Sequence, residues 1–326
     1  MPPIDILSIK PQVLNKTLSG KTILLAAAPK FGKTEFCVRG DKVLVLAFEK
    51  GTNAQPGALI QDIMTWGDFK AVLRQLKTPQ AHELYKNVAI DTVQWAWDLC
   101  TKFICQRAGV QNIGDVGYGK LYAERDREFK DALREVVMNG YGLILTSHMK
   151  EKAITEDLGD GKVKESLYYA PDLDSRCLKI VNALVDIIGI GVQEWDENGE
   201  GHRYLLTRST QFITAGSRFR FLDAKIPFTY HDVEQAVERA IEKEAELGAT
   251  VIDEQVKAEV DTKSFDDLMA EARELWTKLV EKDEANADKI LRKVELIFGR
   301  KMRLSEVIEG QEDLLSLVIA DMKEME

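Results

Sequence analysis

Residues 22–36, TILLAAAPKFGKTEF, leave the backbone few choices. Six apolar or small residues run into a proline-bearing turn, then a glycine, then a stretch that opens with Lys33 and Thr34. That order reads as strand, loop and helix, with the loop amides aimed at an anion. Gly32-Lys33-Thr34 matches the second half of G-x-x-x-x-G-K-[ST], the pattern of a loop that cradles nucleotide phosphates. Where the pattern opens with glycine, this chain has Ala27. Position 27 closes the strand, where alanine is tolerated at negative φ, whereas Gly32 must let the backbone approach a ligand. The loop predicts ligand contacts from Ala28, Pro29, Lys30, Phe31, Gly32, Lys33, Thr34 and Glu35. Lys33 would reach the outer phosphates and the Thr34 hydroxyl would ligate Mg²⁺. A plain strand–turn–helix is the other reading of the same residues.

Three later segments bear on that choice. KNVAIDT (86–92) ends a strand in Asp91, which could hold the metal through water. VLVLAFEKG (43–51) ends one in Glu49, a carboxylate able to orient an attacking water. LILTSHMK (143–150) places His148 after an apolar strand, as a polar group able to touch the last phosphate. A surface glutamate at a strand exit and a histidine bonded to backbone are the plainer readings of the last two.

Residues 21–230 alternate short apolar runs with longer amphipathic stretches, the pattern of an α/β domain with a mainly parallel sheet. Strands are expected at 22–27, 43–48, 87–91, 142–147, 183–190 and 204–208. VLVLAF, NVAID, GLILTS and LVDIIGIG are apolar nearly throughout, as strands covered on both faces should be. Residues 123–139 predict a helix. The stretches 109–119 and 150–169 are expected to be long loops. The texture changes at His231: an amphipathic helix and a polar linker fill 231–263, and a small helical region, capped by Ser264 with Asp267, fills 264–326.

Charge follows the same division. The net charge is −10, yet residues 231–326 hold 14 Lys+Arg against 26 Asp+Glu, and residues 1–230 hold 30 against 28. A polyanionic partner for the first part is therefore allowed. No apolar run approaches the eighteen or so residues of a membrane span, and MPPIDILSIK has no secretory pattern. A cytoplasmic protein is expected, in a host cell if phage-encoded. Cys37, Cys100, Cys105 and Cys177 show no CxxC pairing and read as buried thiols, with a zinc role the alternative.

Taken in order, APKFGKT, LAFEKG, VAIDT, GYGKLYAERDREFKDAL, LILTSHMK, VDIIGIG and AGSRF resemble the RecA/recombinase superfamily of P-loop ATPases. The likeness is nearest to phage-encoded RecA-like ATPases of single-strand annealing and recombination, and covers roughly residues 20–230. It implies a RecA-like core on residues 1–230 that binds ATP and Mg²⁺, with Glu49 and Lys33 catalytic and His148 in the place of a polar sensor. It implies assembly on single-stranded DNA as a homo-oligomeric ring or filament, with a single-strand binding protein as a further partner. The two long loops would face DNA. Lys150, Lys152, Lys162 and Lys164 would meet phosphates, and Tyr168 and Tyr169 would stack on bases. Arg208 and Arg218 are the candidates for an arginine that completes a neighbour's site. A mobile solvated loop and ordinary surface charge are the alternatives for these last two sets. For the whole chain, the alternatives are a helicase-like motor and a nucleotide-switched binding protein with little hydrolysis.

Overall fold

The computed structural model describes residues 13–49, 57–157, 163–248, 250–252 and 264–325. In chain order the first elements are β1 (Val13–Asn15), β2 (Thr22–Ala27), α1 (Lys33–Val38), β3 (Val43–Ala47), β4 (Ile60–Asp62), α2 (Trp66–Leu76) and α3 (Pro79–Leu84). Then come β5 (Asn87–Asp91), α4 (Val93–Ala108), α5 (Lys120–Met138), β6 (Gly142–Asp157), β7 (Val163–Pro171), α6 (Ser175–Leu184) and β8 (Ile187–Trp195). The chain continues through β9 (Gly201–Leu206), β10 (Gly216–Ser217), β11 (Lys225–Pro227), α7 (Tyr230–Glu246) and β12 (Thr250–Ile252). It closes with α8 (Phe265–Lys282), α9 (Ala285–Phe298) and α10 (Glu312–Lys323). Residues 13–252 belong to a larger unit and 264–325 to a smaller one.

The main sheet of the larger unit runs β11-β9-β8-β2-β6-β5-β3-β4. Its strands from β8 to β4 are parallel, and β9 and β11 add antiparallel at one edge. The near-continuous apolar runs follow from burial on both faces. Along β2, Leu24 packs against the side bearing α2, α4, α5 and α6, while Ile23, Leu25 and Ala27 pack against the side bearing α1 and α7. The same alternation runs through β3, β5 and β6: Leu44, Leu46, Val88, Ile90, Leu143 and Leu145 face one layer, and Val43, Val45, Ala89 and Ile144 the other. The expected α/β core with a mainly parallel central sheet, followed by a helical C-terminal part, is the architecture the chain adopts. The order matters for the site: β6 lies between β2 and β5, so the point where it leaves β2, Ser147-His148, stands between the phosphate loop and Asp91.

Residues 150–169 differ from the expected loop. β6 runs on past the sheet to Asp157 and pairs antiparallel with β7, from Met149↔Pro171 out to Asp157↔Val163. Both strands of this ribbon carry polar residues on both faces, so no apolar face announces them in the sequence. The helix expected from residue 231 starts at Tyr230, and Val233, Ala236, Val237, Ala240 and Ile241 bury against the α1 side of the sheet. It is thus part of the larger unit. β12, inside the stretch expected as a linker, pairs in parallel with β1, and residues 253–263 lie outside the described residues. All four cysteines are buried free thiols. In the smaller unit α8, α9 and α10 enclose Leu268, Ala272, Leu279, Ile290, Val294, Leu315 and Val318, and Ser264 and Asp267 form the expected capping box. Among the described residues, no helix is long and apolar enough to cross a membrane.

Candidate functional site

The loop between β2 and α1 turns where the sequence supplies the means. Phe31 N–H closes a turn on the Ala28 carbonyl at 3.3 Å, and Gly32 takes φ 101°, a left-handed value that suits only glycine. The Gly32 carbonyl accepts from Phe36 N–H at 2.9 Å and starts the helix, leaving the first-turn amides without partners inside it. The alanine at position 27 has a counterpart in β8. A Cβ on Gly191 would lie 2.8 Å from the Ala27 Cβ and 2.7 Å from the Phe31 ring. The methyl that replaces the usual glycine hydrogen therefore fills space that the facing glycine leaves open.

Lys33 is 7% exposed, and its ammonium donates to the Ala27 and Ala28 carbonyls, both at 3.0 Å. Burial pushes its pKa below the ordinary 10.5, and the negative charges of Asp91 and Glu49 oppose that shift. Thr34 donates its hydroxyl to Asp91 Oδ2 at 2.6 Å, and Thr146 donates to Asp91 Oδ1 at 2.5 Å. The Asp91 carboxylate is thereby fixed at the end of β5 beside the start of α1. A hydroxyl and a carboxylate meeting at this distance are hard oxygen donors of the kind Mg²⁺ takes from protein, its other positions being filled by water and phosphate. Glu49 is placed by backbone: the amides of Phe48 and Glu49 both donate to the Asp91 carbonyl, at 2.8 and 3.3 Å. Its carboxylate lies 3.7 Å from His148 Nε2. The β2–β6 register pairs His148 with Ala27, beside the loop, while His148 Nδ1 is buried without a hydrogen-bond partner among the described residues. Lys33, Thr34, Asp91, Glu49 and His148 thus gather at the C-terminal edge of the parallel strands, where open α/β sheets bind ligands.

One residue here escapes the motif. Arg203, on β9, donates from Nη1 to the Phe31 carbonyl at 3.0 Å, bracing the loop from 172 residues away. The only signal in the sequence is the excess of cations around 203–225. Beside it a groove of about 640 Å³ runs along α1, lined by Glu35, Arg39, His202, Arg203, Phe228 and His231, a size that suits a nucleoside.

The other expected residues are dispersed. The Arg208 guanidinium donates to the carbonyls of Phe219, Arg220 and Leu222 at 3.4, 2.7 and 3.0 Å. Arg218 pairs with Asp186 at 3.0 Å and donates to the Ala183 carbonyl at 2.9 Å, near the start of β8. Within one chain neither reaches the Lys33–Asp91 group. On the hairpin, Lys152 stands opposite Tyr168 and Lys150 opposite Ala170, and both lysines are exposed. The pleat puts Tyr169 on the other face, opposite Glu151, packed near Ala26, Ile190 and Ala215. Desolvation, with Glu151 beside it, pushes the Tyr169 phenol up. The Tyr168 hydroxyl is hydrogen-bonded to that of Thr214. Lys162 lies outside the described residues, and of Lys164 only the backbone, within β7, is described.

A family model described as an AAA domain matches residues 19–219. A curated relative, the SPbeta prophage-derived uncharacterized protein YorG of Bacillus subtilis, is 28% identical over 333 aligned residues, covering 99% of this chain and 98% of its own. Among solved structures, the flagellar accessory protein FlaH of Methanocaldococcus jannaschii aligns at 10% identity with a TM-score of 0.35, over 65% of this chain and 85% of that one.

Proposed function

The chain belongs to the AAA domain family of P-loop ATPases, and from that premise we propose that it hydrolyses MgATP and works on single-stranded DNA as a homo-oligomer, in annealing or recombination of phage type. The observation that carries the ATPase reading is the convergence of Lys33, Thr34, Asp91 and Glu49 on one end of the sheet. Lys33 would exchange its loop carbonyls for phosphate oxygens. Thr34 and Asp91 would hold Mg²⁺, which would supply neutralisation of phosphate charge. Glu49, fixed by the Asp91 carbonyl, would orient the attacking water and draw its proton. His148 would sense the terminal phosphate, and the groove along α1 would take the base. The DNA reading is supported by the paired lysines and Tyr168 on the hairpin and by the resemblance stated above; the prophage origin of the relative supports a phage setting.

The test is ATP turnover with and without single-stranded DNA, with the same samples imaged for rings or filaments. Lys33→Ala is expected to abolish ATP hydrolysis, and Glu49→Gln to keep binding while lowering turnover by about a hundredfold or more. Turnover unchanged in Glu49→Gln, or negligible in the wild type even with DNA, would favour a nucleotide-switched binding protein.

A further inference from the structure

The channel between α5 and α6 encloses about 690 Å³ on the helical face of the larger unit. On α5, Asp126, Lys130 and Arg134 recur every four residues and so form one row along the helix. The facing row on α6 has the same spacing, with Arg176, Ile180 and Leu184. Lys179 and Ala183 stand beside it. Each row spans nine residues, eight steps of about 1.5 Å, or about 12 Å and two helical turns. Arg176 donates to Asp126 Oδ2 at 3.0 Å and closes one end, so the single acid of the groove is already paired. Arg134 and Lys179 are exposed along the remainder, with Lys130, also exposed, 4.0 Å from Asp131, while Arg218 at the far end is paired with Asp186 and bonded to the Ala183 carbonyl. The result is an aliphatic floor of Ile180, Ala183 and Leu184, about one helical turn long, under a rim of cations.

We infer that this groove seats one face of an acidic amphipathic helix from a partner protein. An aliphatic pair at i and i+3 or i+4 would lie on Ile180, Ala183 and Leu184. Aspartates and glutamates flanking them would face Lys130, Arg134 and Lys179. The floor argues against nucleic acid as the occupant, because it offers alkyl groups where stacking on bases needs aromatic ones. None of these residues belongs to the phosphate loop or its partners, so the inference stands apart from the ATPase reading.

Selection of displayed random peptides of about 14 residues, four helical turns, against the full-length chain provides the test. The selected peptides are expected to carry acids around an apolar pair at i, i+3 or i, i+4. Their synthetic forms, followed by fluorescence anisotropy, should lose about tenfold or more in affinity for the Arg134→Glu/Lys179→Glu double variant. Both positions are exposed, and the variant's urea transition should match the wild type. Peptides with acids changed to lysine should recover binding to the variant alone. The inference is overturned if no acidic helix is selected, or if those selected bind the double variant equally. It is also overturned if a single-stranded oligonucleotide displaces them through the same residues, or if the double variant abolishes self-association of the chain instead.

Discussion

Lys33 holds its ammonium against the Ala27 and Ala28 carbonyls, and that placement governs how the site answers to pH. Burial favours its neutral form, so the pKa of the free site lies below 10.5. A bound triphosphate brings negative charge into contact and favours the protonated form. Binding in the alkaline range below 10.5 should therefore take up a proton, and affinity should fall as pH rises through the pKa of the free site. Calorimetry in two buffers of different ionisation heat reads that uptake directly; Lys33→Met should show none. Gly191 carries a second residue-scale consequence. Gly191→Ala would set a methyl against the Ala27 Cβ and the Phe31 ring, at 2.8 and 2.7 Å. Overpacking of this kind costs about 1–3 kcal/mol, read as a lower urea midpoint at unchanged slope. Adding Ala27→Gly should recover part of the loss, the Phe31 contact remaining.

At the scale of elements, α4 ties the catalytic edge to the hairpin. Gln94, in its first turn, donates to the Asp172 carbonyl at 2.7 Å and to the Ser147 hydroxyl at 3.3 Å. These two acceptors flank the root of the β6–β7 ribbon, and Asp172 N–H in turn donates to the His148 carbonyl at 2.8 Å. Gln94→Ala should loosen that root: amide exchange at residues 149–152 and 168–170 should quicken, with nucleotide affinity kept because the hydrogen bonds of Gln94 go to Ser147 and Asp172 rather than to the phosphate loop. The hairpin itself shows where sequence reading reached its limit. VLVLAF, NVAID and GLILTS were legible because burial on both faces demands apolar residues at every position. KEKAITED carries no such demand, since the ribbon leaves the sheet and its pairing needs only backbone. Glu49, Asp91 and His148 were legible as polar residues ending apolar strands. Arg203 was not, because only the β8–β9 register brings it to Phe31. Arg208 reads as a free cation in sequence, whereas its partners are three carbonyls, which no side-chain pattern announces.

At the scale of the whole molecule, charge is divided along the chain. Residues 253–326 hold 12 Lys+Arg against 20 Asp+Glu, while the remainder holds 32 against 34. If the lysines of the hairpin meet DNA phosphates, this acidic segment acts as a polyanion of the same chain, raising the local potential that an incoming strand must overcome. Truncation after Ile252 keeps β12 on β1 and removes that charge. Its expected effect is tighter binding of a labelled single-stranded oligonucleotide, by a few-fold to about tenfold at low salt, because the opposing field is screened least there. The gain should shrink as salt rises, since the Debye length falls from about 10 Å at 0.1 M to about 3 Å at 1 M. Anisotropy titrations of both forms across that range separate two outcomes. Curves that converge at high salt mean electrostatic competition. Curves that coincide at every salt mean that the acidic segment does not oppose DNA, and its charge then serves some other contact.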